Sequence, residues 1–78
     1  MEYRLGQFEK DEALASLARD FLQAVGVEAT AARAGECERE ARKNEAIGCT
    51  TYANAFARQA EALRDAIANS KDETQAAA

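Results

Sequence analysis

The sequence predicts an all-α protein, a small helical bundle of two to three helices. Strong helix formers dominate its 78 residues, and the chain contains no proline. In two separate stretches, large apolar residues recur every three or four positions, which is the periodicity of a helix that buries one face. A chain of this length forms one domain, so we expect a single helical domain over residues 10–70.

The first residues are predicted to form an arm ahead of the helices. Residues 1–9 contain one glycine and no helical stripe, and their pattern is compatible with either an extended or an irregular lead-in. Such a density of large apolar side chains indicates that the arm packs on another surface. These side chains belong to Tyr3, Leu5 and Phe8.

Helix 1 is predicted over about residues 10–25. Asp11 is a suitable N-cap, and Gly26 stands where a left-handed C-terminal cap is expected. One apolar stripe follows the predicted helix, with Leu22 at its edge. The stripe consists of Leu14, Leu17, Ala18, Phe21 and Val25.

Helix 2 is predicted over about residues 28–45. Its apolar side is made of small residues, which allow another helix to approach closely but bury little area. These are Ala31, Ala34, Cys37 and Ala41. On its charged side, the spacing predicts the ion pairs Glu36–Arg39, Glu38–Arg42 and Glu40–Lys43 along a solvated face.

Helix 3 is predicted over about residues 50–69, ahead of a flexible tail at 71–78. Its stripe consists of Tyr52, Phe56, Ala60, Leu63 and Ile67. Gly48 is a stop signal, but one glycine costs only about 1 kcal/mol inside a helix, so helices 2 and 3 could also join as one kinked long helix. The apolar face does not continue in register across Gly48, which favours a turn or kink near residues 44–50.

No catalytic constellation emerges from the sequence. Histidine is absent, which removes the commonest general base and metal ligand, and the four glycines form no phosphate-binding motif. Cys37 and Cys49 make an incomplete zinc site unless a dimer supplies four thiolates, and we expect them to be reduced packing residues. We therefore expect no enzyme activity, no cofactor and no metal.

The charge pattern also narrows the possible partners. The net charge is −4 and the basic residues are interleaved with acidic ones, so nucleic-acid binding is not expected. The sequence has no apolar run of membrane-spanning length and no apolar core of a signal peptide at its start. We expect a cytoplasmic protein that is not inserted in a membrane.

The scarcity of large apolar residues is the strongest indication of function in the sequence. Twenty residues are alanine, whereas leucine, isoleucine, valine and phenylalanine together number twelve. A chain with strong helical tendency and so thin a core often completes it with a second copy or a partner. We therefore expect a protein-interaction module, an adaptor, co-chaperone or regulator, that dimerises or docks on a larger protein.

Nine residues are the candidates for that interface: Tyr3, Leu5, Phe8, Ala31, Ala34, Cys37, Ala41, Tyr52 and Phe56. Two alternatives share the same composition. One is an inhibitor from a phage or mobile element that blocks a defence system or another host machine, as anti-CRISPR proteins do. The other is a dimeric sensor or sequestering protein for a small molecule or nucleotide.

The stretch from Glu36 to Leu63 resembles the small helical-hairpin co-chaperones of type III secretion needles. Those proteins place a charged, cysteine-containing helix before a short turn, and then a helix with aromatic residues and a Q-A-x-A-L pattern. The resemblance implies a partner protein with a helical-repeat groove. The residues that carry it are Cys37, Cys49, Phe56, Gln59, Ala60, Ala62 and Leu63.

Overall fold

Three helices account for nearly all of the chain in the computed structural model. The structure describes the backbone of residues 2–77 and the side chains of residues 11–70, and there is no strand in that part of the chain. Helix α1 spans Glu2–Val25, α2 spans Val27–Ala46 and α3 spans Thr50–Ala77. The predicted all-α bundle is confirmed, and helices 2 and 3 are separate elements.

The joint between α1 and α2 is a single residue, Gly26. Its φ of 90° and ψ of 170° lie in a region that is open essentially to glycine alone. The Gly26 amide donates to the Leu22 carbonyl at 2.8 Å and closes α1. The Gly26 carbonyl then accepts hydrogen bonds from the Thr30 amide at 3.1 Å and from the Thr30 hydroxyl at 2.7 Å. The first bond begins the hydrogen-bonding pattern of α2, and the second satisfies the fully buried side chain of Thr30.

The turn between α2 and α3 is a Schellman motif. The Cys49 amide donates to the Asn44 carbonyl at 2.8 Å, and the Gly48 amide donates to the Glu45 carbonyl at 3.1 Å. Gly48 supplies the positive φ of 84° that the motif requires. Gly48, the stop signal recognised in the sequence, therefore marks the end of α2, because the two hydrogen bonds satisfy carbonyls that the helix leaves unpaired.

Both outer helices are longer than the periodicity predicts. Helix α1 begins at Glu2 rather than near residue 10, and α3 continues to Ala77 rather than ending near residue 69. No proline interrupts either extension, and the residues there are mostly good helix formers. The predicted N-terminal arm thus has a helical backbone. The side chains of Tyr3, Leu5 and Phe8 lie outside the described residues.

The helices run up, down and up. Helices α2 and α3 form an antiparallel hairpin, in which Glu38 meets Arg64 and Cys37 meets Gln59. Helix α1 runs parallel to α3, which it contacts more extensively than it contacts α2. An ion pair between Asp11 and Arg58 fixes its register. Asp11 is therefore not the N-cap that the sequence predicts, because α1 continues past it towards the N-terminus.

The core between these helices is built largely from small side chains. Among the described residues, three of its buried members are large: Leu22, Leu63 and Ile67. The others are Ala18, Ala34, Cys37, Ala60 and Ala66. Small residues let the helices approach closely, but each removes little apolar surface from water, so the protomer gains a modest hydrophobic stabilisation. Within the described residues, no helix is both long enough and apolar enough to cross a membrane.

Candidate functional site

The small-residue side of α2 is already occupied within the protomer. Ala34 and Cys37 are fully buried in the core, Ala31 packs against that core, and Ala41 is half-buried. The Cys37 thiol donates to the Gln59 Oε1 atom at 3.7 Å. As a candidate docking surface, this side of α2 is therefore covered by the protein's own helices.

The two aromatic candidates on α3 have different environments. Phe56 packs against the core and is half-buried. Tyr52 lies one turn closer to the α2–α3 turn, where its side chain is 64% exposed. Ile47 of the same turn is also exposed, so this end of the hairpin carries two separate apolar side chains in solvent.

Helix α1 also carries exposed apolar side chains. The sequence predicts that Leu17, Phe21 and Val25 face the core, but Leu17 is 65% exposed, Phe21 is 37% exposed and Val25 is also exposed. Ala18 of the predicted stripe is buried, and so is Leu22, which the sequence places at the edge of the stripe. The buried face of α1 is therefore rotated from the predicted stripe towards Leu22.

Four residues define what we call the α1 stripe: Leu14, Leu17, Phe21 and Ala24. Their spacing of three, four and three is that of a coiled-coil seam. Leu14 is half-buried, and the other three are exposed. The boundary between the buried and the exposed face of α1 runs along Phe21. Leu22 lies about 100° to one side of Phe21 and is buried, whereas Asp20 lies about 100° to the other side and is exposed.

A shallow groove follows the α1 stripe on the side of the bundle. One part, of about 350 Å³, lies between Leu14, Leu17 and Ala55. The next part, of about 250 Å³, continues past Phe21 towards Leu63. Leu14, Leu17 and Gln59 line both parts, so the two parts are adjacent along α1.

Basic side chains border this groove at both of its parts. Arg58 borders the first part and pairs with Asp11, and Arg33 borders the second part and pairs with Glu36 at 3.0 Å. Each guanidinium has five N–H donors, so one ion pair leaves donors for another acceptor. The site thus combines an apolar floor with hydrogen-bond donors at its rim, and Asp20 stands on the opposite border of the stripe.

A bidentate ion pair joins α2 to α3. Arg64 Nε and Nη2 contact the two carboxylate oxygens of Glu38 at 2.8 and 2.6 Å. The hydrogen bond from Arg64 holds the pKa of Glu38 below its usual value and raises the pKa of Arg64, with weaker support for Glu38 from Arg42 and Arg39. The sequence predicts Arg42 as the partner, but the bidentate contact is made across the hairpin.

This ion pair gives the protein a defined response to acid. Because the pKa of Glu38 is lowered by folding, its carboxylate stabilises the fold above the unfolded-state pKa, and this contribution is lost as the pH falls through the folded-state value. We expect the melting temperature of the wild type to exceed that of Glu38→Gln at pH 7, by a margin that shrinks as the pH is lowered below about 4. The margin over Arg64→Gln should shrink in the same way, and a gap independent of pH would contradict the assignment.

Neither cysteine of the described residues belongs to a disulfide or to a cluster of metal-binding side chains. Cys37 and Cys49 are both free thiols, one buried and one half-buried. Within residues 11–70, no three side chains of the metal-binding types come together as a possible metal site. The groove on the hairpin beside Glu38, Glu61 and Arg64, of about 420 Å³, is lined by charges of both signs.

Comparison with known proteins gives no relative from which a function could be transferred. No family model matches the chain, and neither the curated proteins nor the solved structures contain a significant match.

Proposed function

We propose that this protein is a non-catalytic helical interaction module, which uses the α1 stripe to bind an apolar helical surface of a protein. The observation that carries the proposal is the exposure of Leu17 and Phe21 on one helix face. Soluble proteins commonly expose single apolar side chains, but a contiguous row with a polar rim is typical of a binding surface.

The geometry of the groove supports a helix as the ligand. The α1 stripe and the groove beside it form an elongated apolar strip, and amphipathic helices bind such strips through residues spaced three and four apart. Leu17 and Phe21 provide anchors of the same spacing. Phe21 is the stronger of the two anchors, because aromatic side chains contribute disproportionately to interface energies.

A photo-crosslinking experiment in the native host tests this proposal. A photoreactive amino acid at position 17 should give a protein adduct, whereas the same group at Ser16 should give little, because Ser16 is exposed about 100° around α1. A second protein carries the photoreactive amino acid at position 24 instead of 17. Adding Leu17→Glu to that protein should abolish its adduct. Equal adducts at positions 16 and 17, or none at either position, would refute the proposal.

A further inference from the structure

We infer that the protein bound by the α1 stripe is a second copy of this chain, arranged so that the two α1 helices lie side by side and parallel. The inference rests on the proposed function and identifies its partner. Three observations carry it: the surface area of the protomer, the spacing of the α1 stripe and the distribution of charge on its two borders.

The protomer exposes more surface than a monomer of its size requires. Its accessible surface is 5967 Å². A compact monomer of 8.4 kDa exposes about 4,600 Å². The difference is larger than the roughly 800 Å² that each partner buries in a standard interface. The exposed surface of the protomer is therefore large enough for an interface with one further copy.

The spacing of the α1 stripe is suited to pairing with itself. Residues spaced three and four apart form the seam of a coiled coil, in which like positions of two parallel helices meet. In a parallel pair, Leu17 packs on Leu17 of the second copy, and Phe21 packs on Phe21. The residues next to the seam do not oppose this contact, because Ala18 and Val25 are apolar and Ala13 is small.

The charges at the two borders select the parallel arrangement. Asp20 lies on the outer border of the stripe, and Arg33 lies on the border towards the bundle, beside Phe21. A two-fold axis along parallel helices brings the outer border of each copy against the inner border of the other, so Asp20 approaches Arg33 of the second copy. An antiparallel pair would instead bring identical borders together and place like charges near each other.

The mass of the full chain in solution is the first test. Light scattering after size-exclusion chromatography should give twice the chain mass of 8.4 kDa at micromolar concentrations. The melting temperature should rise with protein concentration, as it does for a dimer. A well-folded monomer throughout that range would overturn the inference. If position 17 still crosslinked to a different protein, the proposed function would stand; without an adduct, both would fail.

Two glutamate variants of α1 locate the interface. Leu17→Glu should weaken association by at least about tenfold, because it buries a charge at the centre of the seam. Its helical circular dichroism should persist, since Leu17 is mostly exposed within the protomer. Ser16→Glu makes the same charge change one residue away and should remain dimeric. A dimer that survives Leu17→Glu but dissociates on Tyr52→Glu would place the interface at the hairpin turn and overturn the inference.

A charge exchange tests the arrangement, and it remains informative if Leu17→Glu fails to fold. Asp20→Lys and Arg33→Glu should each weaken dimerisation by about threefold or more, because each replaces two symmetric attractions with repulsions. The double variant should associate more tightly than either single variant, since it exchanges the two charges at the interface, although the pair of Arg33 with Glu36 within the protomer is lost. Two single variants without effect, or a double variant weaker than both, would exclude the parallel pair.

Discussion

Leu63→Ala is expected to lower the free energy of unfolding by about 2–5 kcal/mol, through lost burial and the cavity left behind. Among the described residues, Leu63 is one of three large buried side chains, in a core whose other buried members are small and against which the half-buried Phe56 packs. A chain of 78 residues has a total stability of about 4–12 kcal/mol, so this one change removes much of it. Urea denaturation followed by circular dichroism measures the effect.

Leu17→Ala is the matched control, because it deletes the same atoms from a side chain that is 65% exposed. Measured at a concentration where the protein is monomeric, it should change stability by less than about 0.5 kcal/mol. Equal losses for both leucines would contradict the rotation of α1 that buries Leu22 and leaves Leu17 in solvent.

Gly26→Ala is expected to destabilise the protein by about 1–3 kcal/mol, because any side chain at φ 90° and ψ 170° is strained. Nothing lies within 4 Å of the added methyl group, so the cost arises in the backbone alone. Gly35→Ala is the matched change inside α2, where the new methyl meets only an ordinary contact of 3.6 Å with Arg39.

The Gly35 variant should be stabilised by about 0.5–1 kcal/mol, since alanine loses less backbone freedom than glycine in a helix. Thermal melts of the two variants should therefore shift in opposite directions. A Gly26→Ala protein as stable as the wild type would show that the α1–α2 joint adopts an ordinary conformation, open to any residue.

Local signals favoured a break between α2 and α3, although they left open whether the bundle has two or three helices. Gly26 and Gly48 were recognisable because both helix ends are made by neighbouring residues, through hydrogen bonds that span five residues or fewer. The same local logic missed the true start of α1. Asp11 has the chemistry of an N-cap, but it uses its carboxylate for Arg58, far along the chain.

The candidate site was harder to predict because it depends on rotation about a helix axis. The apolar arc of α1 extends from Ala13 to Leu22 around the helix, which is wider than one neighbouring helix can cover. Periodicity locates the arc but does not show which half the bundle takes. The excess width was itself a usable signal, since a helix that packs on one side alone needs only about 100° of apolar surface.

The partner of Glu38 shows the same limit for charges. Arg42 is near it in sequence and satisfies the helical spacing, whereas Arg64 approaches only once the hairpin has closed. Contacts within a helix can be predicted from spacing, and contacts across a hairpin require its register.

The single-residue joint at Gly26 affects the order in which the molecule can come apart. Helices α2 and α3 are closed by a three-residue turn, so their contacts form with little loss of chain entropy. The ion pair of Asp11 with Arg58 joins residues far apart in the sequence, so forming it costs more chain entropy. Helix α1 also contacts the hairpin less extensively than α2 and α3 contact each other. We therefore expect local opening to begin with α1 swinging away about Gly26, while the hairpin stays folded.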